Sequence, residues 1–75
     1  MNKIEAVQDQ GYGKWEFDLL DMHGYVGLMI GTETRQGIIW EIQERTPAGD
    51  TGAILRLPVM TKTEALKYAE MMLVK

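Results

Sequence analysis

Apolar and polar residues alternate along most of the chain, and this period of two predicts β-strands. In the first predicted strand, residues 14–20, Trp15 and Phe17 fall on one face while Glu16 and Asp18 fall on the other. Clusters of Gly, Pro, Asp and Thr, which are residues that turns require, separate the apolar runs. Three further strands are predicted over residues 25–30, 38–45 and 53–59.

The second predicted strand is apolar on both of its faces. Val26, Leu28 and Ile30 alternate there with Tyr25 and Met29. A strand of this kind is usually central in its sheet or covered on both sides. We assign Val26 and Leu28 to the side of the core and Met29 to the opposite side.

The last fifteen residues predict a single amphipathic helix. Thr61 is the expected N-cap, and Glu64 completes a capping box. The apolar side chains fill one arc of this helix, wide enough to cover one face of a small sheet, and Met71 lies outside that arc. The residues of the arc are Ala65, Leu66, Tyr68, Ala69, Met72 and Leu73.

Together these elements predict an α+β fold with two layers. A four-stranded antiparallel meander sheet carries one C-terminal helix packed on one face (ββββα), because the connections are short and local. Residues 14–75 form this single domain, and residues 1–13 form an N-terminal arm or a short helix or strand, with Asn2 as a possible helix cap. The side chains expected under the helix are Trp15, Phe17, Val26, Leu28, Trp40, Ile42, Leu55 and Leu57.

Length and composition limit the class of protein. Seventy-five residues make one domain with a thin core, and the absence of Cys excludes disulfides and thiolate metal sites. No apolar run approaches the roughly 20 residues that cross a membrane. The N-terminus has a charge inside its first apolar stretch and no cleavage site, so it is not expected to be a signal peptide. We therefore expect a cytoplasmic, soluble protein.

Few residues could support catalysis. The chain has neither Ser nor Cys, so the common nucleophiles are missing, and the single His, His23, falls in a predicted turn. Glu16, Asp18 and Glu41 could form a carboxylate cluster, but acids on the wet side of a sheet are commoner than acids that bind a cation or transfer a proton. We therefore expect a protein that is not an enzyme and that has no cofactor and no metal.

Nucleic-acid binding is the alternative function. Strands followed by Thr-Lys-x-Glu-Ala-x-x-x-Ala resemble, over about residues 37–73, two families of nucleic-acid-binding domain. These families are the arm-binding, AP2-like domain of phage and transposon integrases and the double-stranded-RNA-binding domain. The resemblance implies nucleic-acid contacts from Arg45, Arg56 and Lys62.

The distribution of charge weighs against that alternative. Residues 1–50 carry nine acids and four bases, which gives −5, and residues 51–75 carry two acids and four bases, which gives +2; the total is −3. The AP2-like domain reads DNA from basic and aromatic side chains on its exposed sheet face. Here that face is expected to carry Glu16, Asp18 and Glu41, whereas phosphate neutralisation needs several cations.

An apolar stripe on the face away from the helix indicates protein binding instead. A contiguous exposed patch of this kind marks an interaction surface, for a protein partner or for a second copy in a homodimer. The predicted partner-binding residues are Glu16, Asp18, Leu20, Met29, Ile39, Glu41 and Ile54. The opposing interpretation is that residues 1–10 fold over this face and bury it.

We therefore predict a small acidic non-enzymatic protein-binding module. Its size, acidity and lack of motifs are similar to those of small accessory proteins of phages and mobile elements, some of which inhibit host enzymes. Glu44 and the acids of the sheet face could meet a basic groove that normally takes nucleic acid, since complementary charge selects partners.

Overall fold

The computed structural model describes residues 4–9 and 14–73, and antiparallel strands account for most of them. The elements in chain order are β1 (Glu5–Asp9), β2 (Lys14–Asp21), β3 (Gly24–Thr34), β4 (Gly37–Arg45), β5 (Thr51–Leu57) and α1 (Lys62–Leu73). Each strand pairs antiparallel with the next in one sheet of order β1-β2-β3-β4-β5. The predicted α+β class, an antiparallel sheet with one C-terminal helix, is confirmed, but the sheet has five strands where four were predicted. In the described ranges no helix has both the length and the apolarity that crossing a membrane requires.

The additional strand comes from the N-terminal arm. Glu5 pairs with Leu20 and Asp9 pairs with Glu16, so β1 lies beside β2 at an edge of the sheet. A segment paired in this way extends the sheet and does not cross its second face. The alternative helix cap, Asn2, lies outside the described residues.

The core lies between α1 and one face of the sheet. Phe17, Trp40 and Leu57 are at most 8% exposed and belong to this core, as predicted. Asp18 and Glu41 alternate with these residues along their strands and therefore lie on the opposite face. α1 packs mainly on β3 and β4. The buried core residues are Ile4, Phe17, Leu19, Met29, Trp40, Ile42, Leu57, Ala65, Ala69 and Leu73.

The phase of β3 differs from the prediction. Met29 pairs with Phe17 and is fully buried in the core, so its assignment to the opposite face is wrong. Leu28 pairs with Asp18 on that opposite face, so its assignment to the core is wrong as well. Since both faces of β3 are apolar, the hydrophobic pattern alone does not fix which one faces the helix.

A β-bulge explains the change of phase. Leu20 pairs with Tyr25, but Leu19 pairs with Gly27, so Val26 is an extra residue on β3. Val26 still packs against the core, as predicted. After Val26 the alternation of β3 is shifted by one residue. The odd-numbered residues from Gly27 to Gly31 therefore lie on the α1 side.

Two glycines on the α1 side of β3 make room for larger neighbours. At Gly27 a Cβ atom would collide with the Gln43 carbonyl oxygen and lie 3.2 Å from Leu73 Cδ1, and at Gly31 it would lie 2.7 Å from Trp40 Cζ3. The missing side chains therefore allow the end of α1 and the indole ring of Trp40 to lie close against the backbone of β3.

The segment that joins β5 to α1 is held by the start of β4. The Met60 N–H donates to the Ile38 carbonyl oxygen at 3.1 Å, and the indole Nε1–H of Trp40 donates to the Met60 carbonyl oxygen at 2.8 Å. Both bonds fix where α1 starts. Pro58, which cannot donate to a ladder, directly follows the last residue of β5, an edge strand of the sheet.

α1 begins with the predicted capping box. The Glu64 N–H donates to Thr61 Oγ1 at 3.2 Å, and the Thr61 N–H donates to Glu64 Oε1 at 3.5 Å. Tyr68 is 44% exposed, more than its place in the predicted apolar arc implies, and Met71 is 79% exposed outside that arc, as predicted.

Replacing Thr61 with alanine is expected to lower the free energy of unfolding by about 1 kcal/mol, because the substitution removes the side-chain acceptor at the N-cap. Urea titration followed by circular dichroism measures the change. Thr63→Ala is the matched control, since Thr63 is exposed in the first turn and alanine favours helix there. Equal losses from both variants would contradict a capping role for Thr61.

Candidate functional site

The face of the sheet opposite α1, called the open face below, is built from rows of cross-strand partners, which share a face. α1 covers the other side of the sheet, and β1 lies in the plane of the sheet, so neither covers this face. One row comprises Glu16, Ile30, Glu41 and Arg56. The next row comprises Val7, Asp18, Leu28, Gln43 and Ile54. Thr32 and Ile39 lie beside the first row, and Leu20 and Tyr25 lie beside the second.

A diagonal of apolar side chains crosses the open face from β4 to β2. We call it the open-face stripe, and it consists of Ile39, Ile30, Leu28, Tyr25 and Leu20. Ile39 and Tyr25 are 41% and 42% exposed, and the other three are half-buried by their neighbours. Beside Ile30 and Ile39 the surface has a shallow depression of about 260 Å³. Contiguous apolar surface outside the core is typical of an interaction site.

A small polar network flanks the stripe on the side of β4 and β5. Arg56 Nε donates to Glu41 Oε1 at 3.2 Å, and Gln43 Nε2 donates to Glu41 Oε2 at 2.7 Å. Both carboxylate oxygens of Glu41 therefore have donors within the sheet. The Arg56 side chain is 84% exposed, so this ion pair positions the charges more than it stabilises the fold.

Two acids flank the stripe on the side of β2. Glu16 lies across from Ile30 and Asp18 lies across from Leu28. Among the side chains that the structure describes, neither acid takes part in an ion pair. The open face therefore has an acidic flank on β2 and a flank on β4 and β5 where Arg56 neutralises the acid.

The structure places most of the predicted partner-binding residues together. Glu16, Asp18, Leu20, Ile39, Glu41 and Ile54 all lie on the open face. Met29 does not, because the bulge at Val26 places it in the core. Leu28, Ile30 and Tyr25 take its place in the stripe. The sequence shows that both sides of β3 are apolar. It does not show which side faces α1.

The residues predicted to contact nucleic acid do not form one surface. Arg45 lies at the end of the sheet with its guanidinium 5.4 Å from the centre of the Tyr25 ring. Arg56 is the partner in the ion pair described above. Lys62 is on the other side of the sheet, where its Nζ atom lies 4.7 Å from the centre of the Phe17 ring.

Glu44 lies apart from the acids of the open face. It pairs with Gly27 and follows the phase of the buried Ile42, which places it on the α1 side of β4. Its Oε1 atom accepts a hydrogen bond from the Ala53 N–H at 3.3 Å. The prediction that Glu44 joins Glu16 and Asp18 against a basic groove is therefore wrong.

The remaining titratable groups are dispersed. His23 is exposed in the turn between β2 and β3, where its backbone N–H donates to Asp21 Oδ1 at 2.7 Å. Within residues 4–9 and 14–73, no group of three or more His, Cys, Asp or Glu side chains is arranged to hold a metal ion. Comparison of the chain with protein-family models, with curated proteins and with solved structures gave no match.

Proposed function

We propose that this protein is a small non-enzymatic binding module that holds another protein against its open face. The observation that carries the proposal is the open-face stripe, in which five apolar side chains adjoin one another on the face that α1 leaves uncovered. Covering the stripe would remove apolar surface from water, which is the main driving force of protein association.

The charges beside the stripe favour a basic partner. Glu16 and Asp18 form an acidic flank on β2, whereas the charge of Glu41 is already balanced by Arg56. A partner that offers an apolar surface with Lys or Arg along one side would bury the stripe and pair with both acids of β2. Complementary charge of this kind raises the rate of encounter and rejects acidic competitors.

A second copy of the chain fits the open face less well. It would present the same two acids of β2 against an acidic surface. Its two arginines near the face are already engaged, Arg56 by Glu41 and Arg45 by the ring of Tyr25 and the carbonyl oxygen of Gly49. We therefore favour a basic partner over self-association.

An inhibitory role is one form that this function can take. A basic groove that normally binds nucleic acid, if it also has apolar walls, would accept the acidic flank and the stripe together. In that case Glu16 and Asp18 would pair with the basic side chains of the groove.

The test compares proteins retained from a lysate of the source cells by the immobilised wild type and by three variants. Leu28→Lys interrupts the stripe, Asp18→Lys reverses the acidic flank, and Lys67→Glu changes an exposed residue on α1 as the matched control. We expect a protein that binds the wild type and Lys67→Glu but is lost from the other two. Titration of that purified protein should show at least about a tenfold loss of affinity for each face variant, as for a central contact.

Two outcomes would refute the proposal. One is a retained protein whose affinity is the same for the wild type, Leu28→Lys and Asp18→Lys. The other is retention of DNA or RNA alone, in a manner that falls steeply with salt, which would favour nucleic-acid binding instead. Light scattering of the purified chain tests self-association. A wild-type dimer that the Leu28→Lys substitution dissociates would identify a second copy as the occupant of the open face.

A further inference from the structure

A groove on the α1 side of the sheet is separate from the open face. α1 packs mainly on β3 and β4, and it leaves part of this side uncovered where β1, β2 and the start of the helix meet. The groove has a volume of about 310 Å³, which is within the range of small-molecule sites. Its lining residues are Gln8, Trp15, Phe17, Ile38, Trp40 and Lys62. We call it the aromatic groove.

The two indole rings of the aromatic groove are held in place by hydrogen bonds within the protein. The Trp40 indole N–H is bound to the Met60 carbonyl oxygen, and the Trp15 indole N–H donates to Glu33 Oε1 at 3.2 Å. The rings of Phe17 and Trp40 are tilted at 42° with centres 6.1 Å apart. Trp15 is 39% exposed, so part of its ring remains open to a ligand.

Gly31 is the reason that the rings can form one surface. Trp15, Gly31 and Trp40 lie in one row across β2, β3 and β4. A side chain at the middle position would stand between the two indole rings. Because glycine has none, Trp40 lies over β3 and reaches Phe17 on β2.

Lys62 is the charged residue among those that line the aromatic groove, and the carboxylate of Glu33, at the edge of Trp15, is held by the indole N–H of that ring. The Lys62 ammonium lies 4.7 Å from the centre of the Phe17 ring, and within the described part of the chain no carboxylate pairs with it. Aromatic faces attract cations, but here Lys62 already supplies the cation, and a second positive charge would be repelled. The charge that complements Lys62 is negative.

We infer that the aromatic groove binds a small aromatic anion, with the flat ring of the ligand against Trp15 and its negative charge against Lys62. Both indole donors are already engaged, so the ligand is recognised by ring contact and by one ion pair. The site lies on the opposite side of the sheet from the open face and does not depend on the function proposed above.

The probes that test this inference are 2-naphthoate and 2-naphthylmethylammonium, which have similar shape and opposite charge. The chain has two tryptophans, and both line the groove, so the two indole N–H signals of the ¹⁵N-labelled full chain report on it directly. We expect naphthoate to shift both signals and to bind at least about tenfold more tightly than the ammonium probe, since Lys62 attracts one and repels the other.

Two variants of the full chain identify the groups responsible, and two others serve as controls. Lys62→Met should weaken naphthoate binding about fivefold, as expected for an exposed ion pair, and remove the preference between the probes. Trp15→Ala should weaken it about tenfold through loss of ring contact. Lys67→Met, on the outer side of α1, should leave the affinity unchanged, as should Leu28→Lys on the open face.

Any of three results would overturn the inference: shifts of neither indole signal at millimolar naphthoate, equal or tighter binding of the ammonium probe, or full naphthoate affinity in Lys62→Met. Amide signal dispersion verifies that each variant is folded. Because Lys62 is exposed, Lys62→Met should fold even if Trp15→Ala does not, and it decides the question alone.

Discussion

Replacing Met29 with lysine is expected to unfold the protein, because this side chain is fully buried in the core beneath α1. Truncating a buried methionine costs about 2–5 kcal/mol, and an ammonium without a partner in an apolar core costs more. At roughly 0.05–0.15 kcal/mol per residue, a domain of 75 residues has a total stability of roughly 4–11 kcal/mol. The substitution therefore removes most or all of it.

Leu28→Lys is the matched control, since it places the same charge one residue earlier in β3. Leu28 is only half-buried on the open face, and its cross-strand partner Asp18 would pair with the new ammonium. Far-UV circular dichroism and urea titration should show a folded Leu28→Lys variant and an unfolded Met29→Lys variant. If the two variants unfold at the same urea concentration, the assignment of Met29 to the core and of Leu28 to the open face is wrong.

Gly31→Val is expected to destabilise the protein by about 1–3 kcal/mol or more, as overpacking of a core does. A Cβ atom at this position would lie 2.7 Å from Trp40 Cζ3 and 3.0 Å from Ile38 Cγ2. Trp40 cannot move away without loss, because its indole is bonded to Met60 and packed near Phe17. The higher strand propensity of valine, worth up to about 1 kcal/mol, offsets only part of this cost.

The free energy of unfolding in urea measures the effect of Gly31→Val, and the near-ultraviolet circular dichroism of the tryptophans reports displacement of Trp40. Thr32→Val, one residue along β3 on the open face, is the control and should change stability by less than about 0.5 kcal/mol. Gly31→Ala should be intermediate. Wild-type stability in Gly31→Val would show that the ring of Trp40 does not need the space over β3.

The class of fold could be predicted from the sequence because most of its elements carry strong local signals. β2 alternates clearly, with Phe17 inward and Asp18 outward, and the capping box at Thr61 marks the start of α1. For residues 1–13 the sequence allows an arm, a short helix or a short strand, and the structure has a strand at Glu5–Asp9. It is held in place by pairing with β2, which a local pattern of five residues does not reveal.

The open face could be predicted only in part. A strand that is apolar on both faces has no preferred phase by hydrophobicity alone. The choice depends on the bulge, where Leu19 and Leu20 are paired with residues two apart on β3. No residue type at Val26 signals a bulge, and an unbroken alternation would place Leu28 in the core and Met29 on the opposite face.

The aromatic groove could not be predicted from the sequence, for a different reason. Trp15 and Trp40 are 25 positions apart in the sequence, and Gly31, which lets their rings share a surface, reads as a weak point in a strand. Only the register of three strands shows that the glycine lies between them. Lys62 joins this group because the hydrogen bonds of Met60 bring the chain back to the start of β4.

The two apolar sides of β3 bear on the binding function proposed above. The Met29 side belongs to the core, and the Leu28 and Ile30 side carries the middle of the open-face stripe. Strands with this composition normally occur at the centre of three-layer proteins, where both sides are dry. The isolated chain thus has the layout of a three-layer protein from which one outer layer is missing, and a bound partner would supply that layer in trans.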